Sequence, residues 1–347
     1  MKFQLYIAII FLITTSVLTN HEKKINLREI AAEVNSDRTL SWKASAYGQN
    51  EVDISEIMKK FGAKFRKSDQ LTSIKFTNVV QNETKVGFGS GYPTSYDARE
   101  EYPHCPSISH IRDQSTCGSC WAVSAASVFS DRLCIHSNGK YTDELSSRFM
   151  LSCDNNGDGC KGGYLDMAWE FLKKRGTLTG GEFGSKEGCQ PYPFPPYVWY
   201  LPFIEYSTPQ CLENECNNES YEYDYEPDLI KARDIYHVGD FTGSSINAYY
   251  IQDEILNNGP VQAFLVAYLD LLTYQSGIYR HYRQRGQVPL AGHAVKIIGW
   301  GEEFGVKYWL ISNSWGENWG EKGTFRMIRG ENHCNIETGV YAGIPEL

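Results

Sequence analysis

The 347-residue sequence predicts an α+β fold of two subdomains, a helical half followed by a β-rich half, behind an N-terminal leader. Three observations carry this. Helix-like segments at about 120–135 and at Leu165–Arg175 give way beyond residue 240 to strand-like runs. All ten cysteines lie at or beyond Cys105, so the first hundred residues are built differently. Charge divides the chain at the same place. Residues 1–91 carry 13 Lys+Arg against 9 Asp+Glu, about +4, and residues 92–347 carry 20 against 33, about −13. Opposite signs suit a leader that masks the body at neutral pH and loosens as carboxylates protonate, although two plain solvated surfaces would show the same balance. A strongly acidic body argues against nucleic acid or anionic lipid as a partner.

Residues 1–19 read as a secretory signal, with Lys2, an apolar run from Leu5 to Ile13, and then small and polar residues. That run is too short to span a bilayer, and no later stretch approaches the roughly 18 apolar residues a span requires. Ten cysteines suit the oxidising compartment to which such a signal leads. Residues 20–91 form the leader, with helix-like stretches at Leu27–Val34 and Ile54–Phe65. It ends in the exposed linker Gly87-Phe-Gly-Ser-Gly91. Asn82-Glu-Thr84 and Asn218-Glu-Ser220 are glycosylation sequons.

The body, residues 92–347, opens with Tyr92-Pro-Thr-Ser-Tyr-Asp-Ala-Arg-Glu100 and reaches Gln114-Ser-Thr-Cys-Gly-Ser-Cys-Trp-Ala122, which leads into an amphipathic helix at about 120–135. Residues 152–163, rich in Gly, Asp, Asn and Cys, read as a stapled loop. Residues 190–210 begin Gln-Pro-Tyr-Pro-Phe-Pro-Pro-Tyr and cannot form regular helix. They read as a surface insertion flanked by Cys189 and Cys211. The β-rich half, about 241–335, starts with a helix at Ile246–Asn257, ended by Asn258-Gly-Pro260. Strands follow at Val261–Tyr268, His293–Gly301, Lys307–Ser314 and Thr324–Arg329. Two subdomains of different character leave a cleft between them, a common place for an active site.

Cys120 stands at the positive end of the predicted central helix, where the dipole favours thiolate. Six residues upstream, the Gln114 amide can donate to a developing oxyanion. The Cys117-x-x-Cys120 spacing also occurs in redox motifs, in half of a zinc site and in structural disulfides. If Cys120 is a free thiolate, nine cysteines remain, so at least one more is unpaired. A thiol nucleophile needs a base. Of eight histidines, His293 opens a strand and follows Gly292, a small residue that lets substrate backbone approach. Asn313, within Tyr308-Trp-Leu-Ile-Ser-Asn-Ser-Trp-Gly316, offers an amide oxygen that would fix the imidazole, and Trp315 would cover that bond from water. Singly, His293 would be read first as a hydrogen-bonded structural histidine, and Asn313 could be an ordinary strand end. The order Gln114, Cys120, His293, Asn313 favours catalysis.

With Cys117-Gly-Ser-Cys-Trp121, that order resembles the papain family of cysteine peptidases, and within it the cathepsin B-like members. The B-type marks are Tyr96-Asp-Ala-Arg-Glu100, Asp131-Arg-Leu-Cys-Ile-His136, Gly159-Cys-Lys-Gly-Gly163, Ser276-Gly-Ile-Tyr279 and Ile328-Arg-Gly330 before Cys334. The leader from Trp42 to Gly62, with Val52-Asp-Ile54, is similar to the short cathepsin B propeptide. The resemblance runs from about Thr39 to Ile344. It implies a papain-like fold with a helical left half and a β-barrel-like right half. It also implies a zymogen whose propeptide lies in the cleft, is cleaved near Gly91–Tyr92 and is released in acid.

The same resemblance implies Cys120 as nucleophile, His293 as base and then acid, Asn313 as orienting residue, and Gln114 with the Cys120 N–H as oxyanion hole. Gly162, Gly163, Tyr164, Gly292, Trp315 and Gly339 would bind substrate. It implies disulfides Cys105–Cys134, Cys117–Cys160, Cys153–Cys211 and Cys189–Cys216, which would leave Cys120 and Cys334 free and remove the redox and zinc readings. No cofactor or metal is expected. The expected partners are polypeptide substrates, the chain's own propeptide and cystatin-type inhibitors, and the expected destination is the lysosome or an extracellular digestive space.

The chain departs from its family at two places. Cathepsin B carries a loop with two adjacent histidines that hold a substrate's C-terminal carboxylate and so release dipeptides. Here the insertion reads Tyr197-Val-Trp-Tyr-Leu-Pro-Phe-Ile-Glu-Tyr206, without histidine and without the two cysteines that would staple the loop. A carboxylate would meet aromatics and Glu205, which predicts endopeptidase activity with weak or absent exopeptidase activity. Gly339 falls where cathepsin B has a glutamate on the floor of the second specificity pocket, which predicts apolar or aromatic preference. An ungapped register places Phe264 where a small residue usually sits, narrowing that pocket. The alternatives are a dipeptide-releasing carboxypeptidase, an inactive binding homologue and a transferase using the same acyl-enzyme.

Overall fold

The computed structural model describes residues 24–49, 51–66, 91–198, 201–213, 215–221, 229–282 and 289–347. The expected signal, the Asn82 sequon and all of the linker except Gly91 lie outside the described residues. No helix among the described residues is long and apolar enough to cross a membrane.

The leader is a string of short elements: β1 (Lys24–Asn26), a helix Leu27–Ser36, β2 (Trp42–Ala44), β3 (Glu51–Asp53), a helix Ile54–Met58 and β4 (Ala63–Lys64). Asn26 caps the first helix by accepting from the backbone N–H of Arg28 and Glu29. That helix buries Leu27, Ala31 and Val34 on one stripe. The second helix stops at Met58 and does not run to Phe65 as the sequence suggests. The chain beyond it turns and extends, because its backbone pairs with the body at Ala63↔Gly163. Trp42 anchors the leader: it is 1% exposed, its indole N–H donates to Arg280 O (3.0 Å), and its ring meets Tyr279 edge-on (5.1 Å).

In the body, β5 (Tyr96–Asp97) precedes the central helix Cys120–His136. The sequence suggests an amphipathic helix, yet every residue from Cys120 to Cys134 is buried. The helix lies inside the protein, with elements packed on all sides. Its two buried charges are paired: Asp131 with Lys296 (2.8 Å), and Arg132 with Glu254 (2.8 Å) and the carbonyls of Gly259 and Pro260. After β6 (Gly163–Tyr164), the helix Leu165–Lys174 buries Leu165, Ala168, Trp169 and Leu172 on one face.

The remaining strands are β7 (Ala232–His237), β8 (Val261–Ala267), β9 (Tyr274–Tyr279), β10 (Ala291–Glu303), β11 (Val306–Ser312), β12 (Thr324–Ile328) and β13 (Val340–Pro345), with a helix at Asn247–Asn258 between β7 and β8. The hydrogen-bonded order is β2-β9-β12-β11-β10-β8-β13-β7, with β5 also on β10. Among the described residues this path is open, so the expected barrel-like half is a mixed sheet whose end strands β2 and β7 do not pair. One end is supplied by the leader, whose Trp42 pairs with Gly277 on β9. Gln262 on β8 joins the halves: it accepts from the Trp169 indole (2.8 Å) and donates to Trp121 O and Ser124 Oγ.

Strands β7 and β13, and a helix at Ser147–Cys153, were not evident in the sequence, so the sheet extends beyond 241–335 on both sides. Strand β7 carries Arg233 and Asp234, and β13 contains Gly343 and Pro345, which weaken a local strand signal. Their mutual pairing, Tyr341↔His237 onward, creates them. Among the described residues four disulfides form, Cys105–Cys134, Cys117–Cys160, Cys153–Cys211 and Cys189–Cys216, and Cys120 and Cys334 lie outside them. Asn218 is half-buried and its amide donates to Gly188 O (2.8 Å).

Replacing Glu254 by Ala strands the buried Arg132 guanidinium and is expected to cost about 3–5 kcal/mol. Urea unfolding of the zymogen carrying Cys120→Ala, with and without Glu254→Ala, measures this; a loss below about 1 kcal/mol contradicts it.

Candidate active site

Cys120 is the first residue of the central helix, so its thiol sits at the helix's positive end. The segment before it is fixed to the β-rich half by a backbone bridge between Asp113 and Trp315, with Gln114 N donating to Ser314 O (2.9 Å). His293 lies on β10 opposite Leu265 of β8, and Asn313 follows the end of β11. Three segments distant in sequence thus converge at one end of the sheet.

The His293 Nε2 lies 2.8 Å from Asn313 Oδ1. That oxygen also accepts from Ser314 N (2.9 Å), which fixes the amide's orientation and makes the imidazole the donor. The ring proton is therefore on Nε2, and Nδ1 keeps its lone pair. Among the described residues Nδ1 is buried without a hydrogen-bond partner. Trp315 stacks on the imidazole at 4.9 Å and 27° and shields the Asn313 bond from water. Ser314 Oγ donates to Gln114 Oε1 (2.6 Å), which turns the Gln114 NH₂ outward into the cleft.

The leader occupies this site. Gln114 Nε2 donates to Lys60 O (2.7 Å), and Gly62 N donates to the Cys120 sulfur (3.4 Å). Phe61 meets His293 and Trp315 edge-on, at 5.5 and 5.6 Å. Cys120 and His293 are both fully buried. Burial pushes the Cys120 thiol up, against hydrogen bonds from Gly62 and Ala294. Burial also pushes His293 down to about 4, with the Lys60 charge adding to the effect and the Asn313 bond opposing it. Both shifts disfavour the charged forms, so the covered site holds thiol and neutral imidazole.

The residues predicted to bind substrate line the leader's path. Gly163 N donates to Gly62 O (2.8 Å), and a Cβ on Gly162 would come within 2.4 Å of the same oxygen. A Cβ on Gly292 would come within 2.1 Å of Ala63 O. The Tyr164 ring lies beneath the Lys64 ammonium and the Arg66 guanidinium, at 5.8 and 5.1 Å. Phe65 enters an aromatic pocket, stacked on Phe264 (5.3 Å) and beside Phe241 (6.3 Å). Gly339 forms its floor, where an added Cβ would lie 2.9 Å from the Phe65 ring.

The insertion 190–210 packs beside Trp315. Tyr197 N donates to Asp113 Oδ2 (3.2 Å), and Thr116 Oγ donates to Ile204 O. The Tyr197 ring lies 4.1 Å from the Lys60 ammonium, and Glu205 forms an ion pair with Lys59. Tyr192, also in the insertion, donates to Gln114 O (2.9 Å) and contacts Ser119 Oγ (2.6 Å). Sequence reasoning missed Ser314, Tyr192 and Phe241. Ser314 was within reach, inside the Asn-Ser-Trp motif; nothing in the spacing marks Tyr192 or Phe241.

With the leader in place, iodoacetamide should alkylate the half-buried Cys334 at least an order of magnitude faster than Cys120. Peptide mapping after brief labelling reads the ratio, and preferential labelling of Cys120 contradicts the burial described. A Gly62→Ala leader should release the site, because its Cβ would fall 1.7 Å from Gly118 O. Activity of the unprocessed zymogen at neutral pH checks this.

Comparison with known proteins agrees with the geometry. The family profile described as papain family cysteine protease matches residues 92–344. A cathepsin B-like cysteine proteinase of Schistosoma japonicum is 39% identical over 357 residues, covering 99% of each chain. Cathepsin B-like cysteine proteinase 5 of Caenorhabditis elegans is 42% identical over 292 residues, covering 80% of this chain and 82% of its own. The solved structure of proCathepsin B S9 from Trypanosoma congolense superposes with a TM-score of 0.74 at 33% identity, over 92% of this chain and 98% of that one. The chain belongs to the papain family of cysteine proteases and is a cathepsin B-like member of it.

Proposed function

We propose that the protein is a cysteine endopeptidase, made as a propeptide-inhibited zymogen in the secretory route and released in acid, in a lysosome or an extracellular digestive space. The observation that carries this reading is the leader's backbone: Lys60 O on the Gln114 amide and Gly62 N on the Cys120 sulfur. A peptide already lies over the catalytic groups, with its carbonyl on the oxyanion donor.

In the proposed mechanism His293 Nδ1 takes the Cys120 proton and the thiolate attacks the substrate carbonyl carbon. The oxyanion is held by Gln114 Nε2 and the Cys120 N–H. The imidazolium then gives its proton to the leaving amine, leaving a thioester. Water, deprotonated by His293, attacks that thioester and frees the acid and the thiol. Asn313 keeps the imidazole in the required tautomer throughout. Cystatin-type inhibitors are proposed partners, and Asn82 and Asn218 are proposed glycan sites.

Leader cations facing body carboxylates support release in acid. Arg66 bonds Asp166 (2.7 Å), Lys64 pairs with Asp158, Lys59 pairs with Glu205, and Lys60 faces Asp113. Asp113 and Asp166 sit above the ordinary aspartate range, chiefly through burial, while the Lys60 and Arg66 charges pull them down. Asp158 sits below the ordinary aspartate range, because Lys64 hydrogen-bonds it and lends its charge. The Lys64–Asp158 grip is therefore full above the ordinary aspartate pKa and is lost as pH falls through the lowered one. Asp158→Asn should give faster propeptide cleavage at pH 7 than the parent zymogen, read by gel over time. Unchanged cleavage would count against this pair as a pH-sensitive latch.

The aromatic pocket holding Phe65 supports a preference for Phe over Arg at the second specificity pocket, by about tenfold or more in kcat/KM on the processed enzyme. Gly339→Glu should shift that ratio toward Arg. The lack of cationic donors among the residues of the insertion supports weak exopeptidase action. Release of C-terminal dipeptides as fast as internal cleavage would falsify that part of the reading.

A further inference from the structure

Resting on the endopeptidase reading, we propose that the chamber filled by Lys60 becomes, once the propeptide leaves, a subsite for a substrate lysine or arginine just beyond the cleaved bond. Lys60 has no exposed surface, although it belongs to a segment that must leave. Its ammonium lies 4.1 Å from the Tyr197 ring centroid and 5.6 Å from that of Trp315, both within range for cation–π attraction. The Asp113 carboxylate supplies the opposing charge that offsets burial of the ammonium. Two π-faces and one carboxylate around a buried cation make a selective site for a basic side chain.

The chamber's position follows from the backbone. Lys60 O is the atom on the Gln114 amide, so this side chain departs within one residue of the reacting carbonyl. It points toward Trp315 and the insertion, away from the pocket that takes Phe65 on the other side of Cys120. The walls come from three body segments, and the leader's Gln49 adds a hydrogen bond to the Tyr197 hydroxyl (2.9 Å). Asp113 is held by the Ser115 N–H (2.7 Å), accepts from Tyr197 N, and its own N–H donates to Glu182 (3.2 Å). Thr116 holds the far end of the insertion at Ile204. Asp113 and Glu205 also make this region hostile to a terminal carboxylate, so the insertion reverses the charge preference that a histidine-bearing loop would give.

The test uses processed enzyme and internally quenched peptides with Phe for the aromatic pocket. Lys, norleucine or Glu is placed first or second after the cleaved bond. At one of these positions kcat/KM should fall in the order Lys, norleucine, Glu, with Lys over norleucine about tenfold. Tyr197→Leu should bring the Lys/norleucine ratio to about one, Tyr197→Phe should retain it, and Asp113→Asn should reduce it at pH 7. Equal rates for Lys and norleucine at both positions, or an unchanged ratio in Tyr197→Leu, overturn the subsite and leave the endopeptidase reading intact. Absence of internal cleavage across the whole series overturns that reading, and the subsite with it.

Discussion

The rest of the zymogen is arranged around the approach of Gly62 to the start of the central helix. Its N–H reaches the Cys120 sulfur, and no side chain fits between its Cα and the Gly118 carbonyl. This fixes how deep the leader lies, and its flanking residues are placed in consequence. Lys60 turns into the chamber beside Tyr197, Phe61 caps His293, Ala63 pairs with Gly163, and Phe65 drops onto Phe264. Upstream, Trp42 and β2 hold the leader to the edge of the sheet, so the close contact is kept by a distant anchor.

That contact also sets the electrostatics of the dyad. A thiol at a helix N-terminus beside an imidazole would be expected to ionise readily. Under the leader both are cut off from water, and burial outweighs the dipole, pushing the thiol up and the imidazole down. Inhibition therefore combines steric cover with a low-dielectric lid that keeps both partners neutral. The surrounding ion pairs, Lys59–Glu205, Lys64–Asp158 and Arg66–Asp166, add a grip between the basic leader and the acidic body.

Much of the site was legible because its chemistry sits in contiguous motifs. Cys120 with Gln114, His293 after Gly292, and Asn313 before Trp315 each declare themselves within a few residues. What the motifs omit is support: Ser314 orienting Gln114, and Tyr192 bracing its carbonyl from an insertion that reads only as a proline-rich loop. The fold shows the same division. The helices Leu27–Ser36 and Leu165–Lys174 carry clear one-faced periodicity and lie where it predicts. The central helix also lies where expected but is buried on every side instead of one. Strands β7 and β13 were invisible singly, since each owes its form to the other.

By itself the sequence determined the family and the peptidase class, because the motifs around Gln114, Cys120, His293 and Asn313 are read from residue identity and local spacing. It also marked two places where the chain departs from the family pattern, the insertion 190–210 and Gly339. Only the tertiary structure decided what surrounds those positions. The aromatic pocket joins Phe241, Phe264 and Gly339, and the cation chamber joins Asp113, Tyr197 and Trp315. These residues are far apart in sequence and meet only when the helical half, the insertion and the sheet are packed together. Shape and charge at a binding site depend on such convergence, and no local pattern along the chain encodes it.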